Sequence, residues 1–299
     1  MTDQHENILK WLRQSGYPLE LRVGSALRRA GWRVEHERWY TDPETGKPRP
    51  LDIHAYIPVE SDKDQNTGVS VQLAIECKSS PGKPWIAFTA PRKHWLEMLE
   101  FQTVADELSA QVLMQAQINK VSRPRLIAGK VVLAHGLVSA FVGEKTRDSA
   151  PRTGGELGAS KGGDPTAPYA ALRSALAGAR ALAAEEELQL LNVPDRNYGS
   201  VVLPMVVLDG ELFEFFLDES DNETLRQVSH VRTTLNFEAY NSVNVLVVTK
   251  EHILDVVGPA RQMAAFCRRL LPHMMGFRAL ATDVLQRIKP ARQDAAGSS

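Results

Sequence analysis

Cysteine is scarce in this chain of 299 residues: there are two, Cys77 and Cys267, far apart in sequence. That scarcity argues against a disulfide framework, excludes a cysteine-based zinc site and suits a reducing compartment. No uncharged apolar run approaches the ~18–20 residues needed to cross a bilayer. Residues 1–10 lack the apolar centre of a secretion signal. These absences lead to the expectation of a cytoplasmic protein with no membrane partner. An excess of either charge is also missing, with 35 Lys and Arg against 36 Asp and Glu, a net charge of -1. Any contact with nucleic acid must then come from a local basic patch. The C-terminal Arg261, Arg268, Arg269, Arg278, Arg287, Lys289 and Arg292 offer one, and a solvated helix face explains them equally well. Other enzyme classes find no support. There is no phosphate-cradling glycine loop, because Gly154-Gly155 and Gly162-Gly163 lie in a low-complexity stretch, and no nucleophilic serine motif.

What the chain does contain is concentrated in residues 50–80. Residues 51–57 alternate, with Leu51, Ile53, Ala55 and Ile57 on one face and Asp52, His54 and Tyr56 on the other. Residues 71–78 alternate too, with Val71, Leu73, Ile75 and Cys77 opposed to Gln72, Ala74, Glu76 and Lys78. A period of two marks half-buried strands. The polar loop 59–68 between them is short, so antiparallel pairing is expected. In a cooperative register Asp52, Glu76 and Lys78 meet, giving two carboxylates and an ammonium: a hard-metal site with a general-base candidate.

Upstream, a helix is expected from Pro18 to just before Gly31, with proline at its start and glycine past its end. Val23, Leu27 and Ala30 mark its inward stripe, and Glu20 falls on the same stripe. A carboxylate there costs desolvation unless a positive group meets it. A solvated helix-start acid favoured by the dipole is the plainer account.

Further helices are expected over 6–14, 95–119, 168–187, 253–271 and 277–288. Strands are expected over 32–40, somewhere in 130–142, and over 201–208, 211–217 and 243–249. Pro204 weighs against a central place for 201–208, because proline removes a ladder donor. Residues 79–84 and 143–168 read as loop, and 294–299 as a frayed tail.

A glutamate on a first helix, an aspartate on one strand and Glu76-Cys77-Lys78-Ser79 on the next resemble the PD-(D/E)XK nuclease superfamily. The form is nearest the Mrr-type and resolvase-like branches, although Leu51 rather than proline precedes the aspartate. The resemblance covers the first half of the chain. It implies an α/β protein with a restriction-endonuclease-like αβββαβ core, a mixed central sheet flanked by helices, an insertion and a helical C-terminal extension. Residues 1–217 would hold the core with the insertion at about 85–166, and 218–293 would extend the same domain. Helix 168–187 and strand 201–208 would complete the core, with helix 95–119 competing for the second core helix.

The resemblance further implies Mg2+-dependent hydrolysis of DNA by an endonuclease serving restriction, phage defence or repair, with Mn2+ able to substitute. Asp52, Glu76 and the Cys77 carbonyl would bind the metal, and Glu20 would bind or support it. Lys78 would position the attacking water, because neighbouring carboxylates oppose any lowering of its pKa. Ser79, Lys83 and Arg173 are weak candidates for nucleic-acid contacts, with Arg180 two turns beyond Arg173. His54 either touches substrate or is satisfied by a neighbour; His135, Trp85 and Trp95 read as structural. Two alternatives compete. One is a catalytically silent module of the same fold that binds nucleic acid or a partner protein, as part of a homodimer or with a partner subunit. The other is an α/β interaction protein in which Glu-Cys-Lys is accidental.

Overall fold

The computed structural model describes residues 3–60, 67–89, 104–105, 132–139, 167–192, 197–236 and 242–258. Two helices come first, α1 (Asp3–Gln14) and α2 (Tyr17–Arg29). Pro18 lies in the first turn of α2, where its missing N–H costs nothing. Past the other end, Gly31 adopts φ 84°. Its N–H bonds the Arg28 carbonyl at 2.9 Å, and the Trp32 N–H bonds the Leu27 carbonyl at 3.0 Å. That is the Schellman arrangement, closed by Trp32 and Leu27, both buried in the same core.

A meander follows: β1 (Arg33–Thr41), β2 (Pro48–Glu60) and β3 (Thr67–Ser79), each antiparallel to the next. After β3 come β4 (Trp85–Thr89), β5 (Val104–Ala105) and β6 (Val132–Ser139), then α3 (Ala167–Asn192). The last described part holds β7 (Asn197–Asp209), β8 (Leu212–Leu217), β9 (Glu223–Gln227), β10 (His230–Asn236) and β11 (Ser242–Thr249). A 3-10 turn, Lys250–His252, then opens a helix over 253–258.

Among the described residues these strands form one mixed sheet in the order β1-β2-β3-β7-β11-β10-β6-β4-β8-β9, with β5 beside β7. β3 and β7 run parallel over their whole length, from Thr67↔Asn197 to Ser79↔Asp209, and α3 crosses between them. Pro204 sits in this central strand after all. It falls where pairing with β5 has ended at Val202 and pairing with β11 has not yet begun at Met205. A break in the ladder is where proline is tolerated.

The sheet is covered on both faces. Leu19, Val23 and Leu27 of α2, with Ile253, Val256 and Val257, pack on Ile53, Ala55, Leu73, Ile75 and Cys77. Ala179, Leu182 and Ala183 of α3 pack on Leu51, Ala74 and Val202 on the opposite face. Each fully buried aliphatic side chain contributes about 1.5–3 kcal/mol, so residues such as Leu27, Ile53 and Leu73 anchor the helices.

Two expectations need correction. Leu51 does not share a face with Ile53; it packs with α3 while Ile53 packs with α2. Val104–Ala105, inside the helix expected over 95–119, is a strand paired with β7, and the rest of that span lies outside the described residues. Within the span 85–166, expected to be an insertion, β4 and β6 are strands of the same sheet. Their pairing partners, β8 and β10, lie more than ninety residues further on, beyond the reach of local periodicity. The expected helices from 259 onward and the C-terminal basic residues lie outside the described residues.

Candidate active site

The site forms where β2 and β3 part company. The β2–β3 ladder runs from Glu60↔Gly68 to Ile53↔Ile75 and stops. β3 continues alone on that side, its other edge still held by β7 through Glu76↔Val206, Cys77↔Val207 and Lys78↔Leu208. The freed backbone N–H of Cys77 is taken by the Asp52 carboxylate, with Oδ2 accepting at 2.7 Å. In an extended strand one residue's N–H and C=O point to the same side. The Cys77 carbonyl is therefore aimed toward Asp52 as well, while its thiol is buried in the core beside α2.

A distortion in two neighbouring strands carries Asp52 there. In β1, Val34 packs toward α2, whereas Arg38 bonds Glu185 of α3 at 2.6 Å and Tyr40 joins the α3 core. The alternation flips between them, at Glu37, which adopts φ 51°. In β2 the flip falls between Leu51 and Ile53, at Asp52. The β1–β2 pairing passes from His36↔Ile53 to Arg38↔Leu51 and omits the Glu37–Asp52 pair. A non-glycine residue at positive φ costs on the order of 1–3 kcal/mol and recurs at functional sites.

The other groups converge on Asp52. Lys78 Nζ donates to Glu76 Oε1 at 2.6 Å, and the Ser174 hydroxyl of α3 donates to Glu76 Oε2 at 3.0 Å. Burial, then the Glu76 carboxylate and more weakly Glu20, push Asp52 up to about 7, against the Cys77 N–H and Lys78. Glu20 is raised by burial and by the Glu37 and Glu76 carboxylates. Burial works to lower Lys78, yet the adjoining Glu76 outweighs it and leaves the ammonium above its ordinary value. The thiol of Cys77 is pushed well up by burial and the surrounding carboxylates, so it is protonated and inert. The set Glu20, Asp52, Glu76 and Lys78 is thus brought into one field, with three carboxylates against one ammonium.

That imbalance is the test of fit for a hard cation. The donors are all oxygen, as magnesium prefers. Among the described residues no group of three His, Cys, Asp or Glu side chains is placed to hold a metal. A Mg2+ here would lean on two carboxylates, a backbone carbonyl and several waters, which is its habit.

The weaker candidates separate. His54 is buried away from the site, within reach of Gln72 Oε1 through Nε2 (2.8 Å) and of the Arg38 guanidinium through Nδ1 (2.9 Å). Arginine can only donate, so Nδ1 accepts and the proton sits on Nε2. Burial and Arg38 hold this ring below its ordinary pKa. Arg173 is exposed and ion-paired to Glu44 rather than turned to the carboxylates. Ser79 and Lys83 are exposed just past the site, the Lys83 N–H bonded to the Ser80 carbonyl at 3.2 Å. Trp85 is buried in the core beneath α3; Trp95 and the side chain of His135 lie outside the described residues.

Two site residues escaped the sequence reading. Ser174 carried a signal, being a hydroxyl in phase with the buried Ala171, Gly178 and Ala181 of an alanine-rich helix. Glu37 carried none, since glutamate has no preference for positive φ. No protein-family model, no curated protein and no solved structure matches the chain.

Proposed function

We propose that this protein is a Mg2+-dependent DNA endonuclease of PD-(D/E)XK type, of the sort that serves restriction, phage defence or repair. The observation that carries the reading is the convergence of Glu20, Asp52, Glu76 and Lys78 where β2 and β3 diverge, with carboxylates in excess. The chain connectivity supports it. With β4, β5 and β6 intervening between β3 and α3, a helix, three antiparallel strands, a helix and a strand parallel to the third occur in the order of the restriction-endonuclease-like core.

Asp52, Glu76 and the Cys77 carbonyl would hold the metal, with Glu20 beside them. Bound there, Mg2+ supplies an activated water at neutral pH and offsets charge on the phosphate. The Lys78 side chain is 39% exposed, so its ammonium faces both Glu76 and incoming substrate. It positions the attacking water and stabilises the charge developing on the phosphate. It does not act as a base, because its pKa is raised.

One observation favours a silent module of the same fold that binds nucleic acid or a partner: both Glu76 oxygens already have protein donors. Incubation of the purified protein with plasmid DNA and Mg2+ or Mn2+ separates the two. The nuclease reading expects cleavage that Asp52→Ala and Lys78→Ala each lower by at least a hundredfold. Salt-sensitive DNA binding with no cleavage under either ion would establish the silent module instead, and cleavage unchanged in both variants sinks the site.

A further inference from the structure

We infer that Ser174 is a positioning residue of the candidate metal site: from α3 its hydroxyl fixes the Glu76 carboxylate in the orientation that receives the cation. The inference rests on the metal-site reading above and assigns part of that site to a helix outside the Asp52–Lys78 segment.

The geometry begins with the packing of α3. Ser174 and Gly178 are four residues apart and share one face of the helix. At Gly178 the helix lies so close to β2 that an added Cβ would stand 2.9 Å from Leu51 Cδ1. Leu51 occupies that place because the strand alternation flips at Asp52, so the flip that presents Asp52 also seats the helix. One turn before Gly178, the Ser174 hydroxyl then reaches Glu76 Oε2 at 3.0 Å. The same residue is held from below, its carbonyl accepting from the Tyr40 hydroxyl at 3.4 Å. Both Tyr40 and Leu51 belong to the core that packs beneath α3.

Glu76 is 7% exposed and has two protein donors. Lys78 takes Oε1 from the flexible end of a long side chain, which leaves the carboxylate free to swing about its last torsion. The short Ser174 side chain on a packed helix removes that freedom. The plane of the carboxylate, and so the lone pairs offered toward Asp52, is then set by α3. Partners of this kind change metal affinity or activity about 10- to 100-fold when removed.

Isothermal titration of the full chain with Mg2+ tests this, using wild type, Ser174→Ala, Ser174→Thr, Gly178→Ala and Asp52→Asn, with melting curves in chelator alongside. Ser174→Ala is expected to weaken Mg2+ binding roughly 10- to 100-fold, and Ser174→Thr, which keeps the hydroxyl, to restore most of it. Gly178→Ala, which lifts the helix from Leu51, should weaken binding in the same direction. Ser174→Ala binding Mg2+ as tightly as wild type, with only its melting temperature lowered, overturns the inference while leaving the metal site standing. Wild type that binds no Mg2+, or binds it no better than Asp52→Asn, overturns the metal-site reading and this inference together.

Discussion

Asp52 is a residue whose folded environment works against its charge. Burial and two carboxylates raise it from 3.8 to about 7. Between those values the folded protein holds a proton that the unfolded chain has lost. The ionised form therefore costs stability, and that cost grows as pH rises from about 4 to 7. In metal-free buffer Asp52→Asn should be more stable than wild type at pH 8, by on the order of 2 kcal/mol. The gap should close as pH falls to 4, where both carry a neutral side chain. Melts of the two proteins across pH 4–8 check this, and a gap that is independent of pH would refute it. On the nuclease reading proposed above, the same variant should also lose cleavage, a trade of activity for stability.

Histidines titrate with the opposite sense. His36, His54 and His230 all lie below their ordinary value, with burial the first cause in each. A group depressed in the folded state takes up its proton more readily when unfolded, so stability declines as pH falls below about 6.5. In the Asp52→Asn background, where the aspartate trend is absent, melting temperature should fall steadily from pH 7 to 5. A flat profile there would contradict the lowered pKa of these rings.

Elements show how local chemistry and tertiary contact share the work. Helix α2 is specified almost entirely by nearby residues: proline in its first turn, Leu19, Val23 and Leu27 along one stripe, Gly31 in a left-handed cap. Gly31→Ala should destabilise by about 1 kcal/mol, because alanine must adopt φ 84°. Urea denaturation with an unchanged slope would confirm that the loss is local. Strands β2 and β3 were legible from alternation, and their antiparallel pairing from the short polar loop. Strand β2 was misread at Leu51, because alternation carries no mark of the residue at which it reverses. Helix α3 was legible as a helix from its alanine and leucine content, but nothing within it says which strand lies under Ser174. Strand β9 went unread because its pattern is weak, four of the five side chains of Glu223–Gln227 being exposed; β10 does alternate, with Val231, Thr233 and Leu235 inward, but the polar Thr233 breaks its apolar face.

At the scale of the whole molecule, α2 and residues 253–258 cover one face of the sheet and α3 the other. The candidate site sits at the margin of β2 and β3, reached from both faces by Glu20 and Ser174. A cation that binds only this folded arrangement must stabilise it by mass action. Mg2+ at millimolar concentration should raise the melting temperature of wild type and leave Asp52→Asn unmoved, as thermal-shift measurements would show. A net charge of -1 supplies no general attraction to DNA. On the nuclease reading proposed above, affinity for DNA would come from local contacts near the site or from a second subunit, and added salt should weaken it through the phosphate contacts made.

By itself the sequence determined the elements whose signals are local: caps, turns, strand alternation, and the acidic and basic residues at the ends of β2 and β3. These depend on backbone preferences within a few residues, so spacing alone exposes them. Only the tertiary structure decided that Glu37 and Asp52 reverse the faces of two strands together, that Leu51 turns to the helix that Gly178 lets approach, and that Ser174 meets Glu76. Those outcomes depend on which distant surfaces fill one another's space. The contacts behind the last two join residues about a hundred or more positions apart, Glu76 with Ser174 and Leu51 with Gly178.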